Sequence, residues 1–186
     1  SDIAALWDHV GCAQSHVMGI SMGGMIAMQC ALTVPERFLS LALVSTAAGQ
    51  AHIGGPAGPW VADFDACMER MRTYFHTDFA QRNEPLIKAM VKQIVKQVAA
   101  GEFSERAEEQ KRAVAGFDVS NRLGELAMKV RILHGAEDRI IAPAAAESLH
   151  AGIAGSELEM LPGVGHLLLA EAPQRLREWV GEGVRV

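Results

Sequence analysis

Two short apolar runs, His16 to Ile20 and Leu39 to Val44, lack a helical period. Between them lies a helical stretch from Met25 to Val34, which Pro35 stops because its ring cannot continue a helix. Ahead of the first run, Ile3, Leu6, Trp7 and Val10 recur at i, i+3, i+4 and i+7, one face of an amphipathic helix ending near Gly11. Apolar runs of this length, with turn formers soon after, are consistent with strands buried on both faces. Strands that alternate with helices at these spacings point to βαβ units, so the chain is expected to be α/β, a parallel sheet flanked by helices.

From Gly49 the composition changes. Residues 49–59 carry Gly49, Gly54, Gly55, Gly58, Pro56 and Pro59, which is loop chemistry. Three helical patterns follow without an intervening strand. The first carries Trp60, Phe64, Met68, Met71 and Phe75, the second Ile87 to Val98, and the third spans about Ser104 to Ala115. Strand signals resume at Val130 to His134 and Leu158 to Leu161, and a helix from Pro173 to Val180 closes the chain. This divides it into a first core part (1–48), a helical insertion (49–123) and a second core part (124–186).

Composition narrows the function. With 17 Lys plus Arg against 22 Asp plus Glu, a net charge of −5 and no basic cluster, nucleic acid is not expected as a partner. No run approaches the roughly 20 apolar residues of a membrane span, so no membrane partner is expected. Cys12, Cys30 and Cys67 are odd in number and far apart, which excludes a zinc knuckle or redox pair and suggests a reducing, cytoplasmic setting. No metal and no cofactor are expected.

The chemistry centres on Gly19-Ile20-Ser21-Met22-Gly23, between a predicted strand and a predicted helix. A serine on so sharp a turn adopts strained backbone angles that small neighbours allow. Its hydroxyl is then exposed beside the Met22 N–H and the positive end of the next helix, the needs of a nucleophile and half an oxyanion hole. The alternative is a glycine-rich turn whose serine merely caps the helix.

A serine hydroxyl needs a base. Among the seven histidines, His166 stands out, in a Gly163-Val164-Gly165-His166 loop expected to be flexible and able to swing over the strand ends. His134 reads as a buried, hydrogen-bonded histidine, and His76 and His150 as solvated helix-end residues. An acid to orient the base is offered by Glu137 and Asp138, directly after a strand. Asp138 is preferred because the loop apex aims it at the sheet edge while Glu137 can turn outward; an ion pair with Arg139 or a capping role is its structural alternative. Ser21, Asp138 and His166 thus follow one another in chain order, each in a loop after a strand.

On these motifs the chain resembles the α/β-hydrolase superfamily over essentially its whole length. Gly-Ile-Ser-Met-Gly-Gly looks like the nucleophile elbow, His134-Gly135-Ala136-Glu137-Asp138 like the acid loop, and Gly165-His166 like the histidine loop. The local wording is similar to small bacterial esterases, enol-lactone hydrolases and cofactor-free haloperoxidase-type members. The resemblance implies a serine hydrolase of a small carboxylic ester or lactone, acting through an acyl-enzyme on Ser21. His166 would be the general base, Asp138 the orienting acid and the Met22 N–H an oxyanion donor. The helical insertion stands where the family places a cap, and its Trp60 and Phe64 are candidate substrate-binding residues.

The resemblance also implies several strands before the nucleophile strand and a second oxyanion donor from that region, and the N-terminal part of the sheet is expected to be missing from this chain. Loss of one such donor typically costs about 10² to 10³ in turnover. An unpaired apolar sheet edge would invite self-association. An acyltransferase or haloperoxidase-type member with the same triad, and a truncated, inactive binding protein, are the alternatives.

Overall fold

The computed structural model describes residues 2–56, 58–102 and 104–183, with the backbone alone over 104–108. Helix α1 (Asp2–His9) leads into strand β1 (Ser15–Ile20), helix α2 (Met22–Ala31) and strand β2 (Phe38–Val44). Helices α3 (Phe64–Arg72), α4 (Thr77–Arg82), α5 (Glu84–Ala99) and α6 (Ser104–Ala115) come next. Strand β3 (Lys129–Gly135), helix α7 (Ala144–Gly152), strand β4 (Glu157–Leu161) and helices α8 (Leu168–Glu171) and α9 (Pro173–Gly183) complete the chain.

The strands form one sheet in the order β1-β2-β3-β4, and every pair is parallel. The register aligns Ile20 with Val44, Val44 with Leu133, and Gly135 with Leu161. The loops after β1, β2, β3 and β4 therefore leave from one edge of the sheet, the edge at which α/β sheets build their sites. β1 is an outer strand and pairs only with β2 among the described residues.

Alternation along the strands assigns the two faces. Leu41, Leu43, Val130 and Ile132 pack with Trp7 of α1, Met28 of α2 and Leu149 of α7. Val44 and Leu133 point the other way, onto Leu168 of α8 and Leu176 and Trp179 of α9. Covering both faces is what makes β2 and β3 read as continuous apolar runs. The helices between β2 and β3 have a separate apolar cluster that includes Met68, Met71, Phe75, Ile87 and Val91.

The structure departs from the sequence pattern at two helix boundaries and in one added helix. α2 begins at Met22, directly after Ser21, rather than at Met25. Trp60 lies outside α3, because the Asp63 side chain accepts from the Ala66 N–H (2.8 Å) and caps the helix at Phe64. The extra helix α4 is too short to show an apolar period. No helix among the described residues is long and apolar enough to cross a membrane.

Leu133 of β3, fully buried in the cluster with Val44, Leu176 and Trp179, carries part of this packing. Leu133→Ala is expected to cost roughly 2–5 kcal/mol, because the site cannot close around the lost methyl groups. Leu169→Ala, at a position 55% exposed, is expected to stay within about 0.5 kcal/mol of wild type. Urea denaturation of the two variants checks the contrast.

Candidate active site

Ser21 ends β1 with φ 53° and ψ −123°, a left-handed conformation that costs a non-glycine residue about 1–3 kcal/mol. The neighbours explain how it is held. A Cβ on Gly19 would lie 2.4 Å from the Gly23 carbonyl oxygen, and one on Gly24 would lie 2.6 Å from the Thr46 side chain. Gly23, by contrast, faces open space. The glycines that permit the turn are therefore Gly19 and Gly24, not both glycines of the five-residue motif. The Ser21 N–H donates to the Val44 carbonyl (2.9 Å), and the Thr46 hydroxyl donates to the Ser21 carbonyl (2.7 Å), fastening the elbow to the end of β2.

The Ser21 hydroxyl makes no capping bond to α2. It lies 3.1 Å from Nε2 of His166 instead. The other ring nitrogen of His166, Nδ1, is 2.8 Å from Oδ2 of Asp138. An ionised carboxylate only accepts, so Nδ1 carries a proton and Nε2 is left to accept from Ser21. Asp138 and His166 are both buried. The sheet register thus brings three residues from three loops into one hydrogen-bonded run. Met22, the first residue of α2, has an N–H without an intrahelical acceptor beside that hydroxyl.

Asp138 is held from every side. Its Oδ1 accepts from the Ile140 and Ile141 N–H groups at 2.8 and 2.9 Å, closing a tight turn. The Nε2–H of His134 sits between the Ile141 carbonyl (2.9 Å) and Oδ2 of Asp138 (3.3 Å). Burial alone would raise the Asp138 pKa. Hydrogen bonds from His134 and His166, the charge of His166 and the Ile141 N–H outweigh it and hold the carboxyl well below its usual range. The Arg139 ion pair considered from sequence is replaced: its Nη2 donates to the Arg72 and Phe75 carbonyls (2.9 and 2.8 Å).

The histidine loop is not free to swing. Every N–H from Gly163 to Leu167 has an acceptor. Glu137, expected to turn outward, takes those of Gly163 (2.8 Å) and Val164 (3.2 Å). Glu171 takes that of Gly165 (3.0 Å), and the Tyr74 carbonyl takes those of His166 (2.9 Å) and Leu167 (3.1 Å). His76, expected at the surface, is half-buried, and its N–H also donates to Glu171 (2.8 Å). Absent side chains let these backbones approach: a Cβ on Gly135 would lie 2.3 Å from the Gly165 carbonyl oxygen.

Tyr74 packs its ring edge-on to His166 at 6.0 Å, and Trp60 stacks on Tyr74 at 6.2 Å. Trp60 also borders a cavity of about 310 Å³ with Pro59, Cys67, Arg70 and Thr73. Phe64, like Trp60, packs against the cluster of Cys67, Met68 and Met71. Sequence reasoning missed Thr46, Tyr74 and Glu171. Only Glu171 left a trace, as the one charge in the apolar stretch Leu167 to Ala172.

The profile described as serine aminopeptidase, S33, matches residues 1–173. The chain belongs to that family. This α/β-hydrolase chain is 28% identical over 183 residues to 3-oxoadipate enol-lactonase 2 of Acinetobacter baylyi, covering 94% of this chain and 65% of the relative. It is 26% identical to a 2-hydroxy-6-oxo-6-phenylhexa-2,4-dienoate hydrolase of Burkholderia cepacia, covering 88% and 60%. It therefore spans less than two thirds of the length of these curated relatives. Among solved structures it superposes on MGS-M2, an α/β hydrolase from a Medee basin deep-sea metagenome library. That match has a TM-score of 0.84 and 21% identity, and covers 99% of this chain and 70% of the other. The α/β-hydrolase fold follows.

Because the Asp138 carboxyl is lowered in the folded state, it stabilises the fold above its ordinary value near 3.9 and stops doing so as pH falls. Asp138→Asn is expected to lower the unfolding free energy at pH 7, with the gap to wild type narrowing below about pH 4. Urea titrations across pH measure it; a gap independent of pH would show that the carboxylate is not held ionised.

Proposed function

We propose that the chain carries a serine-hydrolase site that cleaves a small carboxylic ester or lactone through an acyl-enzyme on Ser21. The observation that carries this reading is the unbroken run Ser21 Oγ, His166 Nε2, His166 Nδ1 and Asp138 Oδ2 at 3.1 and 2.8 Å. In the proposed cycle His166 takes the Ser21 proton as Oγ attacks the carbonyl carbon. It then gives that proton to the departing alkoxide oxygen. A water, deprotonated by the same nitrogen, attacks the acyl carbon, and the imidazolium then returns that proton to Ser21 Oγ as the acid leaves. Asp138 fixes the ring and stabilises its cation, and the Met22 N–H receives the developing oxyanion.

Residues 49–123 are read as the cap over this site, with Trp60 and Tyr74 as an aromatic wall. Tyr74 lies against His166 and Trp60 stacks on Tyr74, which supports that reading for Trp60; Phe64, packed with Trp60 against the helical cluster, has no such contact to support it. The part-exposed free thiol of Cys12 is in keeping with a reducing, cytoplasmic compartment. A lactone or ester is favoured by the Acinetobacter relative. A second reading, hydrolysis of a 2-hydroxy-6-oxo dienoate, is favoured by the Burkholderia relative.

A fluorophosphonate probe is expected to label Ser21 and to spare Ser21→Ala. His166→Ala is expected to slow labelling and turnover by about 10⁶-fold. A panel of an enol lactone, p-nitrophenyl esters and a 2-hydroxy-6-oxo dienoate then ranks the substrate classes. Folded wild-type protein that takes no label and turns over no member of the panel would overturn the hydrolase reading.

A further inference from the structure

We propose that Glu171 is a positioning residue for this site, a carboxylate clamp that holds the His166 loop in register with the helical segment between β2 and β3. The inference rests on the proposed triad and extends it.

The clamp is defined by two bonds to opposite sides of a seam. Oε1 of Glu171 accepts from the Gly165 N–H (3.0 Å), one residue before His166. Oε2 accepts from the His76 N–H (2.8 Å), at the start of α4. Both donors are neutral amides and the acceptor is charged, the stronger class of hydrogen bond. The seam is closed too tightly for a side chain, since a Cβ on Gly165 would lie 2.7 Å from the His76 nitrogen. Tyr74 and Arg139 tie the same stretch to the histidine and acid loops through the bonds already described. Residues 72–76 are therefore the common anchor of both loops, and Glu171 is the carboxylate that joins the anchor's His76 N–H to the histidine loop.

Reach and charge make the clamp sensitive to protonation. A protonated Glu171 carries a hydrogen on one oxygen, so it cannot accept equally from both amides. The charged or titratable groups around it are His76 on the α4 side, Asp138 and Arg139 in the acid loop, and His166 in the loop it holds. Burial raises the Glu171 pKa, and the Asp138 charge adds to this. The amides of His76 and Gly165 and the charge of His76 oppose it without cancelling it. As pH falls, the carboxylate is thus protonated earlier than an ordinary glutamate. A displacement of about 1 Å at a general base can cost on the order of 10² in rate, so loosening this loop would be felt at Ser21.

The test uses Glu171→Gln, which keeps the size of the side chain but replaces one acceptor with an amide that can only donate. Fluorophosphonate labelling of Ser21 is expected to slow by about 10- to 100-fold. The acid side of the labelling profile is expected to show one fewer ionisation than wild type. In wild type, the amide proton resonances of Gly165 and His76 are expected to titrate together, with one midpoint above that of an ordinary glutamate. That measurement needs neither activity nor a stable variant. Labelling at the wild-type rate with an unchanged pH profile would overturn the proposal, and so would Gly165 and His76 amides that titrate separately or not at all. Unlabelled wild type together with co-titrating amides would instead sink the triad reading while leaving the clamp in place.

Discussion

The carboxylate of Asp138, buried yet ionised, is the interaction on which the site depends. A lone charge in that position would be driven to neutralise. It persists because each oxygen is saturated: Oδ1 by two backbone amides of its own turn, Oδ2 by His166 with His134 beside it. The same bonds that make the charge tolerable orient the imidazole. Stability of the acid loop and aim of the proposed base are therefore one arrangement, and neither could be altered without the other.

Around that carboxylate the fold works by convergence. A parallel register sends four loops out of one sheet edge. The helices between β2 and β3 then contribute a short stretch, residues 72–76, onto which two of those loops are bonded. Glu137 and Glu171 grip the histidine loop from opposite sides, and glycines at 135 and 165 let the chains come close enough to bond. The site is rigid where a glycine-rich sequence suggests freedom. Glycine here serves close approach, and the amides it exposes are spent on carboxylates and carbonyls.

Much of this was legible in the residues. Ser21 could be singled out because a strand, a Gly-x-Ser-x-Gly turn and a helix follow one another within a few positions, all local features. His166 and Asp138 followed from chain order and from their places after strands. Tyr74, Thr46 and the role of Glu137 were not legible, because each acts through a backbone group tens of residues away and leaves no period or motif. The boundaries of α2 and α3 were misjudged for a related reason. Strain at Ser21 and a cap at Asp63, rather than apolar spacing, decide where those helices begin.

The sequence by itself determined the parallel α/β architecture, the strained serine and the chemical kinds of its two partners, since alternation, turn chemistry and side-chain pKa are properties of short stretches. Only the tertiary structure decided that the serine hydroxyl faces an imidazole rather than capping its helix. It alone decided that Glu137, the neighbouring acid, and Glu171 hold the loop. Those outcomes depend on distances between segments as much as 145 residues apart, which sheet register and close glycine contacts set and no local pattern encodes.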